Sequence, residues 1–156
     1  MKFTIHRGTH EIGGSCVEVT HGQSRLVVDI GTPLVDEEEE RFDEADCDGL
    51  SGENLVEAGM LPDVGGLYRW QTGGERPDGL LISHAHQDHS GFLRHVHPDV
   101  PVCCGSATRD LIELWQLIDQ DAPSIDNHLS LSSGKNFHIG AFTITPYLMD
   151  HSAFDA

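Results

Sequence analysis

The sequence predicts an α/β fold, a mixed sheet with flanking helices, and three observations carry that expectation. Short segments that alternate apolar and polar residues crowd the first thirty positions. After a long irregular stretch, a compact apolar run at residues 79–83 reopens the strand pattern, and from there strand and helix signals follow one another. The length, 156 residues, is that of one ordinary domain and suffices to bury a core without disulfides.

Residues 2–6 and 15–20 alternate and residues 25–30 are mostly apolar, so three successive strands are expected. His21-Gly22-Gln23-Ser24 has the length and the glycine of a hairpin turn between the last two. The glycine-punctuated loop at residues 8–14 reads as a connection between strands. From Thr32 to Asp78 the pattern degrades into an acidic insertion at about residues 35–60, a short helix at residues 53–58 and a Gly/Pro-punctuated path at residues 61–66. The run at residues 79–83 suits a buried strand. Residues 92–96 make about two helical turns before Pro98 stops them, and residues 101–104 form a short strand. Residues 106–120 are the clearest helix, with Leu111, Leu114, Trp115 and Ile118 on one stripe and Ser106 as its N-cap. Two last strands, at residues 136–139 and 141–148, meet at Gly140. At least two of these elements lack partners.

Hydrophobic residues make up 38% and charged residues 22% of the chain, a balance that favours a packed fold over disorder. No run of about 18 apolar residues occurs, and Met1-Lys2-Phe3-Thr4-Ile5-His6 does not open a signal peptide, so a cytoplasmic protein with no membrane partner is expected. Cys16, Cys47, Cys103 and Cys104 lack CxxC spacing and are expected as reduced, mostly buried thiols. The adjacent Cys103 and Cys104 leave a redox or soft-metal pair as the alternative. The net charge is -17, and residues 36–48 concentrate nine acids with one Arg, which reads as a solvated face. The remainder stays acidic, which counts against strong nucleic-acid binding by this chain alone.

The chemistry is concentrated in Ser83-His84-Ala85-His86-Gln87-Asp88-His89-Ser90-Gly91. Three imidazoles and a carboxylate fall within six positions at the end of a buried strand. In extended backbone His84 and His86 point to the same side, and the turn into the next helix brings Asp88 and His89 round to it. With this composition, His-x-His-x-Asp-His arises by chance in roughly one such chain in two hundred. Imidazole nitrogen and carboxylate oxygen suit zinc, with manganese or iron as alternatives, and three or fewer protein ligands leave a place for water. His10-Glu11 has no second His at metalloprotease spacing. His6, His21, His95, His97, His128 and His138 have no such company and read as surface or core residues.

His84-x-His86-x-Asp88-His89 resembles the signature motif of the metallo-β-lactamase superfamily, and the expected fold is accordingly the N-terminal half of its αββα sandwich. Asp29 at the end of an early strand, Gly91 after the motif and the isolated His151 fall in the family's order. The resemblance implies that His84, His86 and His151 hold one metal, that Asp88 and His89 belong to the second, and that Asp29 supports the site from behind. Glu11-Ile12-Gly13-Gly14-Ser15-Cys16 and Asp150-His151-Ser152-Ala153-Phe154-Asp155-Ala156 resemble ribonuclease J-like, RNA-processing members.

Family members continue with a second αβ half that supplies a bridging Asp and a further His. Residues 1–156 are therefore expected to be the N-terminal portion of a family domain whose C-terminal half is absent, from a truncated, incomplete or split protein. The expected activity is metal-dependent hydrolysis, of an RNA-type phosphodiester first, with Asp88 as orienting group or base for the attacking water. It is expected to be impaired in this chain, with one tightly held zinc instead of the family's two. A thioesterase, glyoxalase-like or lactonase activity on a small-molecule carbonyl substrate is the alternative within catalysis. A non-catalytic metal-binding or interaction module, pairing with itself or with a missing half, is the alternative outside it.

Overall fold

A computed structural model of the chain describes residues 1–35, 41–47, 49–117, 125, 127–149 and 151. Asp36 to Glu40 and Asp48, most of the acidic run, lie outside the described residues, as do Ile118, Asp150 and residues 152–156.

Six strands form one mixed sheet: β1 (Lys2–Arg7), β3 (Cys16–His21), β4 (Ser24–Val28), β6 (Gly79–Leu81), β7 (Val102–Cys104) and β8 (His128–Ser130), in that spatial order. The first three are antiparallel, and β4, β6, β7 and β8 run parallel. His21 pairs with Ser24, so Gly22-Gln23 is the hairpin's tip, where Gly22 supplies the positive φ such a turn needs. A short pair, β2 (Ile12–Gly13) with β5 (Pro33–Val35), and a hairpin, β9 (Phe137–Ile139) with β10 (Phe142–Ile144), complete the strands. Pro146, with no N–H to donate, follows β10 closely, which accounts for a strand shorter than the expected 141–148.

Side-chain alternation divides the sheet's two faces between two cores. Val27, Leu80, Val102 and Cys104 face the larger core, and Leu26, Leu81 and Cys103 face the smaller one, where Ile139 and Phe142 of the β9–β10 hairpin cover them. The stretch from Thr32 to Asp78, uninformative as sequence, supplies much of the larger core: Leu55, Leu61, Val64, Leu67 and Tyr68 are buried there. Leu55 rides on the short helix α1 (Gly52–Glu57), whose Asn54 N–H is capped by Ser51 Oγ at 3.2 Å.

Three helical expectations need correction. The two turns foreseen at residues 92–96 are a single 3-10 turn, Leu93–His95; one helical turn, α2 (Gln87–Ser90), lies in the motif before it. The clear helix is α3 (Ser106–Leu114), and its cap position is Gly105, with Ser106 Oγ bonded instead to Ser130 Oγ at 2.8 Å. Its inward row is Thr108 and Ile112, while Leu111, Leu114 and Trp115 of the expected stripe are exposed. Only Gly105 separates α3 from β7, so the direction in which the strand leaves the sheet selects the buried row. The strand β8 was not foreseen, because three residues are too short for alternation to register. All four cysteines are buried thiols outside any disulfide, as expected.

Candidate metal centre

Strands β4 and β6 are parallel neighbours, with Val28 beside Leu81, so the segments leaving them emerge at the same carboxyl edge of the sheet. Asp29 leaves β4, and its backbone N–H donates to Leu81 O at 2.8 Å. Its φ of +59° is the one positive value at a non-glycine residue among those described, and it turns the carboxylate back toward Ser83. Asp29 Oδ1 accepts the Ser83 backbone N–H at 2.8 Å, and Oδ2 accepts the Ser83 hydroxyl at 3.0 Å and His89 Nδ1 at 2.8 Å.

The motif then folds over the chain that follows β4. Ile30 N–H donates to His89 O at 2.9 Å, Thr32 N–H to Gln87 O at 2.9 Å, and Ser15 N–H to Asp88 O at 3.3 Å, which partners the carbonyls of α2. Such close apposition is open only to glycine at position 31, where an added Cβ would stand 1.8 Å from Asp88 O. Gly13, with φ +79°, also packs against Asp88, whose Cβ would lie 2.9 Å from a Cβ there.

Five side chains converge as a result. His84 Nε2 lies 3.0 Å from His86 Nδ1, and the His84 ring centre is 4.2 Å from that of His89 and 4.6 Å from that of His151. Asp88 Oδ2 is 3.4 Å from His89 Nε2. One donor atom each from His84, His86 and His151 lie within 4.8 Å of one another, and the same holds for His84, Asp88 and His89. Zinc bonds of about 2.0–2.1 Å set tetrahedral ligand atoms roughly 3.4 Å apart, inside the 4.8 Å limit these donors meet, and three imidazoles, or two with a carboxylate, are a donor set suited to zinc. The residues fit the ion.

Electrostatics favour the same occupant. Burial, followed by the neighbouring His89, His86 and His151, pushes His84 down to about 4, so its ring is neutral at physiological pH and able to ligate. The hydrogen bond to Asp29 holds His89 above the usual histidine range and directs its proton to Nδ1, leaving Nε2 toward Asp88. Three other histidines engage elsewhere: His6 with Glu18, His97 with Arg76 and Asp99, and His95 inside an aromatic cluster.

Residues 11–124 match the sequence model of the Metallo-beta-lactamase superfamily. The chain belongs to that superfamily. It is 30% identical over 112 residues to transcription termination factor FttA of Methanococcus maripaludis, and 29% identical over 119 residues to FttA of Methanothermobacter thermautotrophicus. Those matches take in 70% and 74% of this chain but only 14% and 15% of the relatives, so the chain spans about a seventh of their length. A crystal structure of a protein of unknown function from Enterococcus faecalis superposes with a TM-score of 0.66 at 23% identity, over 88% of this chain and 35% of that one. The subclass B3 metallo-β-lactamase BJP-1 of Bradyrhizobium japonicum superposes at 0.52 and 15% identity, over 87% of this chain and 46% of that one. The fold is therefore that of the metallo-β-lactamases, whose metal-binding character matches the histidine cluster.

The sequence reading overlooked Ser83, Gly31 and Gly13 at this superfamily site. Ser83 stood at the motif's edge, but its bond to Asp29 spans 54 positions, and no local pattern foretells that contact.

Proposed function

We propose that this chain carries the first half of a divalent-metal hydrolase site acting on RNA-type phosphodiesters. The observation behind the reading is that two three-donor sets, His84/His86/His151 and His84/Asp88/His89, share one buried imidazole. A bound zinc, or manganese or iron in its place, would supply Lewis acidity and bring the pKa of a water toward neutrality. His84, His86 and His151 hold the ion. Asp88, partly exposed beside His89, orients the attacking water and accepts its proton. Asp29 keeps His89 oriented from behind. Because His84 cannot serve both sets with one nitrogen, this chain binds one ion tightly, and hydrolysis is slow without the ligands of a second half.

RNA is favoured over a carbonyl substrate by the relatives' named role in transcription termination. The chain's net charge of -17 opposes strong RNA affinity, which other parts of a longer protein would provide. The test loads the chain with zinc, manganese or iron and offers an end-labelled RNA oligonucleotide and, separately, a thioester. One ion per chain and slow RNA cleavage are expected. Two stoichiometric zincs contradict the shared-ligand reading, thioester turnover with intact RNA moves the chain to the carbonyl class, and undiminished zinc binding by His84→Ala removes the metal site altogether.

A second reading rests on the smaller-core face of the sheet. Phe3 and Ile5 pair with Val19 and Val17 on that face and are 64% and 57% exposed, and Leu129, beside Cys103, is 37% exposed. Association through this face, with a second copy or a complementary half, would cover it. A mass that rises with concentration in light scattering supports association, and a constant monomer mass excludes the second copy.

A further inference from the structure

We propose that Ser83 sets the tautomer of His84 and so presents the His84 Nε2 lone pair to the ion, a positioning role that rests on the metal-site reading above. The hydroxyl has one proton to give. Its oxygen lies 3.0 Å from Asp29 Oδ2 and 3.0 Å from His84 Nδ1. A carboxylate can only accept, so the hydroxyl proton goes to Asp29, whose other oxygen is already anchored by the Ser83 backbone N–H at 2.8 Å. The hydroxyl oxygen is then left as an acceptor, and His84 Nδ1 must carry the proton that meets it. The relay runs from His84 Nδ1–H to Ser83 Oγ and from Ser83 O–H to Asp29.

With the proton on Nδ1, His84 Nε2 is bare, and it is this nitrogen that lies 3.0 Å from His86 Nδ1, its partner in the His84/His86/His151 donor set. The opposite tautomer would point an N–H where the ion belongs. His89 is served differently. Its Nδ1 is 3.3 Å from the same hydroxyl but 2.8 Å from Asp29 Oδ2, so the carboxylate takes its proton directly. Removing the hydroxyl therefore releases His84 alone, whereas removing the carboxylate releases both rings. A serine that merely filled space would produce no such asymmetry.

The experiment combines two readouts on the 156-residue chain: long-range ¹H–¹⁵N spectra of the metal-free histidines, and zinc affinity by competition with a chromophoric chelator. The wild type is expected to show His84 protonated at Nδ1. Ser83→Ala is expected to shift His84 toward the Nε2–H form, leave His89 unchanged and weaken zinc binding roughly 10–100-fold. Ser83→Thr, which keeps the hydroxyl, restores both. The proposal is overturned if His84 in the wild type is protonated at Nε2, a measurement that needs no variant to fold. It is also overturned if folded Ser83→Ala binds zinc within about twofold of wild type, or if folded Ser83→Thr fails as badly as Ser83→Ala. A wild type that binds zinc no better than His84→Ala overturns the metal-site reading itself, and that outcome is distinct from the other three.

Discussion

Asp29 Oδ2 accepts the Nδ1 proton of His89 at 2.8 Å across 60 residues of sequence, and it does so from a backbone whose φ is +59°. Asp and Asn tolerate that left-handed conformation, whereas a residue such as Ala meets a cost of about 1–2 kcal/mol there. Two substitutions should therefore separate conformation from charge. Asp29→Asn keeps the tolerance and one acceptor, and is expected to cost about 1 kcal/mol of stability. Asp29→Ala adds the backbone penalty and leaves the Ser83 N–H without its acceptor, for about 2–4 kcal/mol. Urea titration of both variants checks the order, and equal losses would show that the conformation carries no cost.

The approach of Gly31 to Asp88 gives a steric prediction. A Cβ on residue 31 would fall 1.8 Å from a backbone carbonyl oxygen, and backbone cannot swing aside as a flexible side chain can. Gly31→Ala should force the motif away from the chain after β4, costing about 3 kcal/mol or more and weakening zinc binding together with stability. Gly73 has no atom near its would-be Cβ, so Gly73→Ala should stay within about 0.5 kcal/mol of wild type. Denaturation midpoints for the pair measure the contrast, and a well-folded Gly31→Ala with normal zinc affinity would contradict the close packing described.

Sharing of His84 makes the single-ligand variants unequal. His151→Ala damages one donor set and Asp88→Ala the other, so each leaves three donors able to hold an ion. His84→Ala damages both. Zinc competition titrations should find His84→Ala weakened by more than about 100-fold, with the other two affected less. The double variant His151→Ala/Asp88→Ala should fall to the level of His84→Ala. Equal losses from all three single changes would mean that one undivided site uses every ligand.

What was legible in the sequence had short range. The strand alternation of residues 2–6 and 15–20, the turn at Gly22 and the ligand spacing from His84 to His89 are all encoded within a few positions. The buried row of α3 was not legible, because Leu111, Leu114 and Trp115 make a better apolar stripe than Thr108 and Ile112, yet the strand's exit direction chose the latter. The core role of residues 55–68 was hidden for a related reason. Leu55, Leu61, Val64, Leu67 and Tyr68 follow neither a helical nor a strand period, since loops bury side chains wherever the path permits. The support given by Ser83 and Gly31 depends on contacts 54 and 57 positions away, beyond any local pattern.

His95, which is in neither donor set, offers a pH test. Burial first, then the adjacent Arg94 and Arg69 guanidinium groups, push its imidazole down to about 4, and it packs beside Trp70 and Phe92. An unfolded chain protonates this residue near its ordinary value of about 6.5. Above that pH both states hold it neutral and the folded state bears no penalty. As pH falls from about 6.5 toward 4, only the unfolded state takes up the proton, so stability declines through that window and levels off below it. His84 titrates in the same direction, and the difference between wild type and His95→Gln isolates the His95 contribution. The two should diverge in stability between pH 7 and pH 4.5, with wild type losing more. Parallel stability curves over that range would show that His95 is protonated in the folded chain as readily as in the unfolded one.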